Sequence, residues 1–191
     1  MEDFIRVWDS ALNDSLCDRI INWFEITYKN FPESIVDEKQ YSKSTIKDYL
    51  SCFIEDNEFQ KEIYGAMSGC INSYLNDFGH LKSLPLTFNQ IKVKKINPYG
   101  GYHSWHYETN TSSSYGRELV WMVYLNDMPE NEAETEFLYQ KRKIQPKKGR
   151  LVIFPACMTH LHRGLTVYTH SKYIISGWLY RDFQKQIEMN E

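Results

Sequence analysis

LVWMVYL, residues 119–125, is a mostly apolar run with the length of a buried β-strand. Similar runs lie before and after it, and turn-forming Asn, Asp, Pro and Gly residues separate them. Several short strands with no helical periodicity among them predict an antiparallel sandwich or barrel over residues 86–182. The strand candidates in this region are 91–96, 119–125, 136–138, 149–154 and 173–179.

The first part of the chain has helical periodicity instead. The Asn-Asp pair at 13–14 offers an N-cap, and the apolar residues that follow recur on one helical face. A second helix is predicted over about 56–77, with Gly79 as its C-cap. Residues 30–50 are polar and have no clear period, which indicates a loop or a lid.

The composition is that of one globular domain, residues 1–191, with 42% hydrophobic and 15% aromatic residues. Helices first and strands second predict an α+β fold, in which a helical support region (1–85) packs on a β-sandwich core (86–182). The net charge of -3 favours no nucleic-acid-binding surface. The sequence has no secretory signal, no apolar run of membrane-spanning length and no Cys-x-x-Cys pair, so a cytoplasmic protein with reduced, buried cysteines is expected.

Two histidines and a glutamate are the candidate metal ligands. His106 and Glu108 form a His-x-Glu pair after a Gly-Gly break, and residues i and i+2 of a strand point to the same face. His162 lies in a later segment, THLHRG, which a folded-over sandwich can bring to this pair. Such a ligand set leaves about three octahedral positions free on a ferrous ion. Lys172, ten residues after His162, is suited to hold the far carboxylate of a small organic acid bound there.

The residues alone leave alternatives open. His160 would share a strand face with His162, and His103 is a further imidazole close to His106. We select His162 because its spacing allows it and Lys172 to lie on adjacent antiparallel strands joined by a turn. The same ligands bind zinc, which would give a hydrolase, although the His-Glu-x-x-His helix of zinc proteases is absent from the sequence. A third interpretation is a non-catalytic sandwich that binds a partner.

The segment from about Gln90 to Tyr180 resembles the double-stranded β-helix (jelly-roll) core of Fe(II)- and 2-oxoglutarate-dependent oxygenases. It is most similar to the prolyl 4-hydroxylase-like branch, which includes small versions encoded by marine bacteria and cyanophages and packs helices on its major sheet. The matching segments are WHYE, RELVWMVYLND, ETEF, PKKGRLVIFPACMTHLHRG and KYIISGW. The resemblance implies a cytoplasmic hydroxylase (host cytoplasm for a viral protein) that uses Fe(II), 2-oxoglutarate and O2, with ascorbate as an auxiliary reductant.

The resemblance also implies roles for single residues. His106, Glu108 and His162 take the places of the iron ligands. Lys172 takes the place of the basic residue that pairs with the distal carboxylate of 2-oxoglutarate. The further cosubstrate contacts that it implies are Tyr124, Thr135, Ser176 and Trp178, and the candidate substrate contacts are Arg117, Tyr102 and His103. A structural ion pair is the alternative for the arginine, and core packing is the alternative for the tryptophan.

Three positions depart from the family pattern. The ligand pair is His-x-Glu where His-x-Asp is common, and the longer arm of the glutamate should still reach iron. The usual Gly-Gly-Glu-Thr turn reads Glu-Ala-Glu-Thr at 132–135, so this loop is expected to take another path. A tyrosine often found nine or ten residues before the first ligand is replaced by Ile96 or Asn97. Tyr99 and Tyr102 are the candidates to compensate for it.

The family resemblance favours a prolyl residue of a protein or peptide as the substrate. The same oxygenase chemistry could also act on a free amino acid, another small metabolite or a nucleobase, and these substrates are the alternatives. The near-neutral net charge disfavours a nucleic acid.

Overall fold

The computed structural model describes residues 2–43 and 45–182. Within these residues fourteen strands form two facing sheets, and two long helices cover the outer face of the larger sheet. The helices are α1 (Asp14–Asn30) and α2 (Asn57–Asp77), and short 3-10 helices lie at Pro32–Ser34, Gly79–Ser83, Ser112–Ser114 and Met158–His160. The strands are β1 (Arg6–Trp8), β2 (Val36–Asp37), β3 (Gln40–Tyr41), β4 (Ile46–Asp48), β5 (Leu50–Ile54), β6 (Leu86–Phe88), β7 (Ile91–Ile96), β8 (Gly101–His106), β9 (Arg117–Tyr124), β10 (Thr135–Phe137), β11 (Arg142–Ile144), β12 (Leu151–Pro155), β13 (His162–Gly164) and β14 (Lys172–Arg181).

Both sheets are antiparallel throughout the described residues. The major sheet has the order β1-β12-β9-β14-β7-β5-β2, with β6 paired to the end of β14, and the minor sheet has the order β11-β10-β13-β8-β4-β3. The ten-residue strand β14 is the centre of the major sheet, because it pairs with β9 on one side and with β7 on the other. This arrangement confirms the predicted jelly roll with helices packed on its major sheet.

Side-chain caps define where the two helices begin. Asn13 caps α1 by accepting a hydrogen bond at 2.8 Å from the amide three residues further on. Asp56 caps α2 by accepting hydrogen bonds from two amides of its first turn. Each cap satisfies N–H groups that have no partner within the helix. Both predicted helices are confirmed, and α2 ends at Asp77 as expected, although Phe78 and not Gly79 takes the C-cap position.

The apolar faces of the helices pack on the major sheet. Ile20 and Phe24 of α1, Ile63 and Met67 of α2, and Trp121 of β9 are completely buried in one cluster. Burying side chains of this size contributes about 1.5–3 kcal/mol each. The helices therefore support the strands that carry one wall of the site.

Residues 30–50 do not form the expected loop or lid. They contain β2, β3 and β4, and β5 follows at Leu50–Ile54. Strands of two or three residues are too short to show alternation in the sequence, and here they form by pairing with neighbouring strands. Lys47 of β4 pairs with Tyr102 of β8, and Cys52 of β5 pairs with Val93 of β7. The region 1–85 thus contributes strands to both sheets in addition to its helices.

The structure also tests the expectations about membrane-spanning segments and cysteines. No helix in the described ranges has the length and apolar character needed to cross a bilayer. The cysteines are unbridged, and Cys17 and Cys52 are buried as expected. Cys157 is exposed, so the expectation of burial is wrong at that position.

Candidate active site

His106 and His162 lie directly opposite each other in the minor sheet. His106 ends β8 and His162 begins β13, and the antiparallel pairing places the two residues in register. Their ring centroids are 4.3 Å apart. Cross-strand neighbours project from the same face of a sheet, and here both line a cavity between the two sheets. Two distant parts of the sequence therefore converge on one point.

Backbone carbonyl groups fix the tautomer of both imidazoles. Nδ1 of His106 lies 3.0 Å from the carbonyl oxygen of Ser104, and Nδ1 of His162 lies 3.0 Å from that of His160. A carbonyl oxygen only accepts, so each Nδ1 carries the proton and each Nε2 presents a lone pair, as in metal-binding histidines. Burial is the main cause that lowers the pKa of His106 to about 3. This imidazole is therefore neutral at neutral pH.

Glu108 completes the group from just beyond the end of β8. Its Oε1 lies 3.6 Å from Nε2 of His106 and 3.7 Å from Nε2 of His162. One ligand atom from each residue lies within 4.8 Å of the other two, which brings all three within reach of a single metal ion. The backbone N–H of Glu108 donates to the carbonyl of Ala156 at 2.9 Å and so anchors the residue to the loop after β12.

The second carboxylate oxygen of Glu108 is held by two donors. Nη1 of Arg117 and Nε1 of Trp178 each lie 3.1 Å from Oε2. The guanidinium group of Arg117 stacks on Trp178 at 3.7 Å from the ring centroid, and its Nε donates to the Tyr180 hydroxyl at 2.9 Å. Burial alone would raise the pKa of Glu108, but its interactions with His162 and nearby positive charge hold that pKa well below the usual range. Oε1 of an ionised carboxylate is thus aimed at the two imidazoles.

The other candidate histidines do not reach this group. Nε2 of His160 lies 2.9 Å from the carbonyl oxygen of Asp3, and its Nδ1 lies 2.9 Å from the Thr159 hydroxyl, so both ring nitrogens are engaged. His103 alternates with His106 on β8 and lies outside the cavity wall. Within the described part of the chain, the His-Glu-His triad is the one such cluster with metal-binding geometry.

Lys172 reaches the same cavity from the major sheet. Its side chain is buried, and Nζ donates to the carbonyl of Ala133 at 2.5 Å. No carboxylate among the described residues forms an ion pair with it. Burial, with repulsion from Lys94, lowers the pKa of Lys172 to about 7. A buried ammonium group without a counter-ion is costly, and the carboxylate of a ligand would compensate it.

The spacing argument for His162 is wrong in one respect. His162 lies in β13 of the minor sheet, whereas Lys172 begins β14 of the major sheet, so the two strands are not adjacent. The segment between them crosses from one sheet to the other, and both residues line the cavity that the sheets enclose. The placement of His162 rests on its pairing with His106 instead.

Hydroxyl groups line the cavity near this lysine. Ser176 and Thr135 are both on its wall, and the buried Oγ of Ser176 has no hydrogen-bond partner among the described residues. The Tyr124 hydroxyl donates to Oγ1 of Thr135 at 2.8 Å, from behind the wall. Because Thr135 accepts there, its own proton is free for a ligand. The Tyr124 hydroxyl thus acts on the cavity through Thr135, and the centroid of the Tyr124 ring lies 5.2 Å from Nζ of Lys172.

The 132–135 turn has the backbone shape that normally favours glycine. Ala133 has a φ of 59°, in the left-handed region, which costs a residue with a Cβ about 1–2 kcal/mol. The Glu132 carboxylate holds the turn by accepting hydrogen bonds from the amides of Tyr168 and Thr169, at 2.6 and 2.8 Å. In this conformation the Ala133 carbonyl accepts the hydrogen bond from Lys172.

The tyrosine missing from the family pattern leaves an apolar patch on the cavity wall. Ile96 lines the cavity, and Tyr99 cannot compensate because it is 78% exposed. Tyr102 also lines the cavity, but its ring stacks on His106 with 3.7 Å between centroids. Tyr49 lines the wall as well and is buried. The sequence interpretation missed Tyr49, because it belongs to the segment taken for a loop.

Lys94 is the second cavity residue that was missed. β7 was predicted to be half exposed, but Ile91 and Val93 pack towards the helices while Lys94 and Ile96 line the cavity. Burial lowers the pKa of Lys94 to about 8, although the charge of Glu108 opposes that shift. The alternation in IKVKKI was the available signal, since it places Lys94 and Ile96 on one face.

Residues 91–180 match the family model of the 2OG-Fe(II) oxygenase superfamily. This range includes the three candidate ligands and Lys172. This range is 90 of the 191 residues, so slightly less than half of the chain matches these oxygenases. The match and the triad within it support an oxygenase that uses Fe(II), 2-oxoglutarate and O2. A comparison with curated protein sequences gives no significant match.

Several solved structures of prolyl hydroxylases share this fold. The viral collagen prolyl hydroxylase of Paramecium bursaria Chlorella virus-1, in its 2-oxoglutarate complex, has 23% identity and a TM-score of 0.70, over 93% of this chain and 96% of that one. A Trichoplax adhaerens prolyl hydroxylase in complex with a hypoxia-inducible factor peptide fragment has 17% identity and a TM-score of 0.74, over 97% and 87%. A Pseudomonas putida prolyl 4-hydroxylase has 16% identity and a TM-score of 0.68, over 94% and 93%.

The residues present fit both the metal and the cosubstrate. Two imidazoles with free Nε2 atoms and an ionised carboxylate match the ligand preference of a divalent cation. A buried lysine without a counter-ion and a buried serine hydroxyl without a partner face the same cavity, as the distal carboxylate of 2-oxoglutarate requires.

Proposed function

We propose that this oxygenase hydroxylates a prolyl residue of a protein or peptide. The observation that carries the proposal is the combination of the triad and buried Lys172 in one cavity, on the fold shared with three prolyl hydroxylases. A cleft lined by Arg117 and Trp178 reaches His106 and Glu108 of the triad, and an extended peptide would enter through it.

The chain would hold each reactant with a separate group. Nε2 of His106, Nε2 of His162 and Oε1 of Glu108 would bind Fe(II), which supplies the oxygen activation needed to hydroxylate an unactivated C–H bond. Lys172 would bind the distal carboxylate of 2-oxoglutarate, with a hydrogen bond donated by Ser176. In the overall reaction 2-oxoglutarate and O2 yield succinate and CO2, and one oxygen atom enters the substrate.

The remaining cavity wall would keep water away from the reacting groups. Val120, Met122, Phe154 and Ile174 line it with apolar side chains. Excluding water strengthens the electrostatic contacts of the ligands and protects reactive species from side reactions.

The test is a screen for substrate-stimulated succinate release across proline-containing peptides, free amino acids and nucleosides. We expect a proline-containing peptide to stimulate release and to gain one oxygen atom on proline, as read by mass spectrometry. His162→Ala should abolish both signals, whereas His170→Ala, at an exposed histidine outside the cavity, should retain them.

Two outcomes would contradict the proposal. Stimulation only by a free amino acid, another metabolite or a nucleoside would overturn the prolyl assignment and leave the oxygenase class intact. Hydrolytic activity with zinc, without any 2-oxoglutarate turnover with iron, would overturn the oxygenase chemistry itself.

A further inference from the structure

The cleft that leads to the triad is basic. Its charged side chains are Lys47, Lys92, Lys94, Arg117, Glu38 and Glu108. Four cations thus face two carboxylates, and one of these carboxylates belongs to the metal triad. The approach to the site therefore carries an excess of positive charge that the described residues do not balance.

The ion pairs within the cleft account for every cation but one. Glu38 pairs with Lys47 and with Lys92, each at 2.6 Å. Glu108 pairs with Arg117 at 3.1 Å. The described residues offer Lys94 no hydrogen bond and no ion pair. Its ammonium group instead makes a cation–π contact with the Tyr49 ring, 5.4 Å from Nζ to the ring centroid.

Lys94 also occupies a different place from Lys172. Lys172 lines only the inner cavity, whereas Lys94 lines both the cavity and the cleft through which a substrate enters. The two carboxylates of 2-oxoglutarate already have partners, since one would pair with Lys172 and the other would bind the metal. Lys94 is therefore the ammonium group left for the substrate.

We propose that Lys94 binds an acidic side chain of the substrate, so that the enzyme selects a target residue flanked by Asp or Glu. This inference rests on the proposed peptide hydroxylase function and names the class of peptide. The partly desolvated setting strengthens such a pair, because a charge-assisted hydrogen bond is stronger away from bulk water. A peptide with a neutral isostere would leave the ammonium group without a partner, and a basic side chain would be repelled.

The test measures peptide binding and peptide hydroxylation separately. Binding is measured by fluorescence anisotropy on the full chain loaded with Mn(II) and 2-oxoglutarate, using labelled proline-containing peptides that differ only in Glu, Gln or Lys beside the proline. The wild-type protein should bind the Glu peptide about tenfold more tightly than the Gln peptide. Lys94→Met should reduce this preference to less than about twofold, and Lys94→Glu should shift it towards the Lys peptide.

The matched control is Lys95→Met. Lys95 is the next residue of β7, but it faces the helices and pairs with Glu25 at 2.8 Å. Its replacement removes the same charge from the same strand, so the Glu preference should persist. Equal binding of the Glu and Gln peptides by the wild-type protein, or no binding of either, would overturn the inference. A Lys94→Met variant that keeps the Glu preference, or that loses only 2-oxoglutarate affinity, would overturn it too.

The hydroxylation measurement separates this inference from the proposed function. It uses the same peptides with Fe(II) and O2 and follows the gain of oxygen on proline. If the Glu preference in binding depends on Lys94 but no peptide is hydroxylated, the prolyl assignment fails while the acidic recognition stands. If both peptides are hydroxylated with equal efficiency and bound with equal affinity, the function stands and the inference fails.

Discussion

Replacing Lys172 by methionine should stabilise the ligand-free protein while removing its use of 2-oxoglutarate. Burial, with repulsion from Lys94, lowers the pKa of Lys172 from an ordinary value of 10.5 to about 7. One pKa unit corresponds to about 1.4 kcal/mol, so burying this ammonium group costs roughly 4 kcal/mol at neutral pH. Losing the hydrogen bond to Ala133 offsets about 1 kcal/mol of that. Allowing for relaxation around the new side chain, we expect the free energy of unfolding of the variant to be about 2 kcal/mol higher than that of the wild type.

The assay is urea denaturation of the ligand-free wild-type and Lys172→Met proteins at neutral pH, read by tryptophan fluorescence. The variant should also lose 2-oxoglutarate decarboxylation, whereas isothermal titration should show metal binding unchanged. The control is Lys143→Met, which removes the same charge from an exposed position on β11 and should change stability by less than about 0.5 kcal/mol. A clear loss of stability in Lys172→Met, or full decarboxylation activity, would refute the account of this pocket.

Further predictions concern two other residues of the site and the pH dependence that Lys172 confers. Arg117→Met should weaken metal binding by about 10- to 100-fold, because Oε2 of Glu108 loses a donor that orients it; unchanged titration of Mn(II) would contradict this. Ala133→Gly should leave stability unchanged or raise it by up to about 1 kcal/mol, because relief of left-handed strain outweighs the greater entropy of glycine in the unfolded chain. A loss of stability in urea denaturation curves would contradict this. The KM for 2-oxoglutarate should rise as pH increases above about 7, because the Lys172 ammonium group is present below its folded pKa and lost above it. Between about pH 7 and 10.5 the ligand-free protein should become more stable as pH rises, because Lys172 binds more protons in the unfolded chain than in the folded one. In the control, Lys172→Met, this contribution to the pH dependence of stability should be absent.

The core of the fold and the ligand set could be predicted from the sequence. LVWMVYL and YIISGWL are long apolar runs, and they became β9 and β14 at the centre of the major sheet. The pair was recognisable in the sequence, and in the structure His106 ends β8 and Glu108 lies just beyond it, with ligand atoms of both in the triad. These signals are local, so a single sequence contains them.

The rest depended on contacts between distant segments. β2, β3 and β4 have two or three residues each, and they form by strand pairing: β2 with β5, β4 with β8, and β3 with β4. Tyr49, between β4 and β5, and Lys94 of β7 line the cavity because the two sheets enclose them, which their own hydropathy does not show. A lysine in an alternating strand is ordinarily solvated. The alternation in IKVKKI places Lys94 and Ile96 on one face, but it does not show that a second sheet covers that face.

The most direct measurement is anaerobic titration of Fe(II) into the protein with 2-oxoglutarate present, for the wild type, His162→Ala and His160→Ala. The two histidines are separated by a single residue, but only His162 turns its free Nε2 towards Glu108. We predict one Fe(II) per chain in the wild type and in His160→Ala, and loss of this binding in His162→Ala. Binding that survives in His162→Ala, or that disappears in His160→Ala alone, would contradict the assignment of the metal centre.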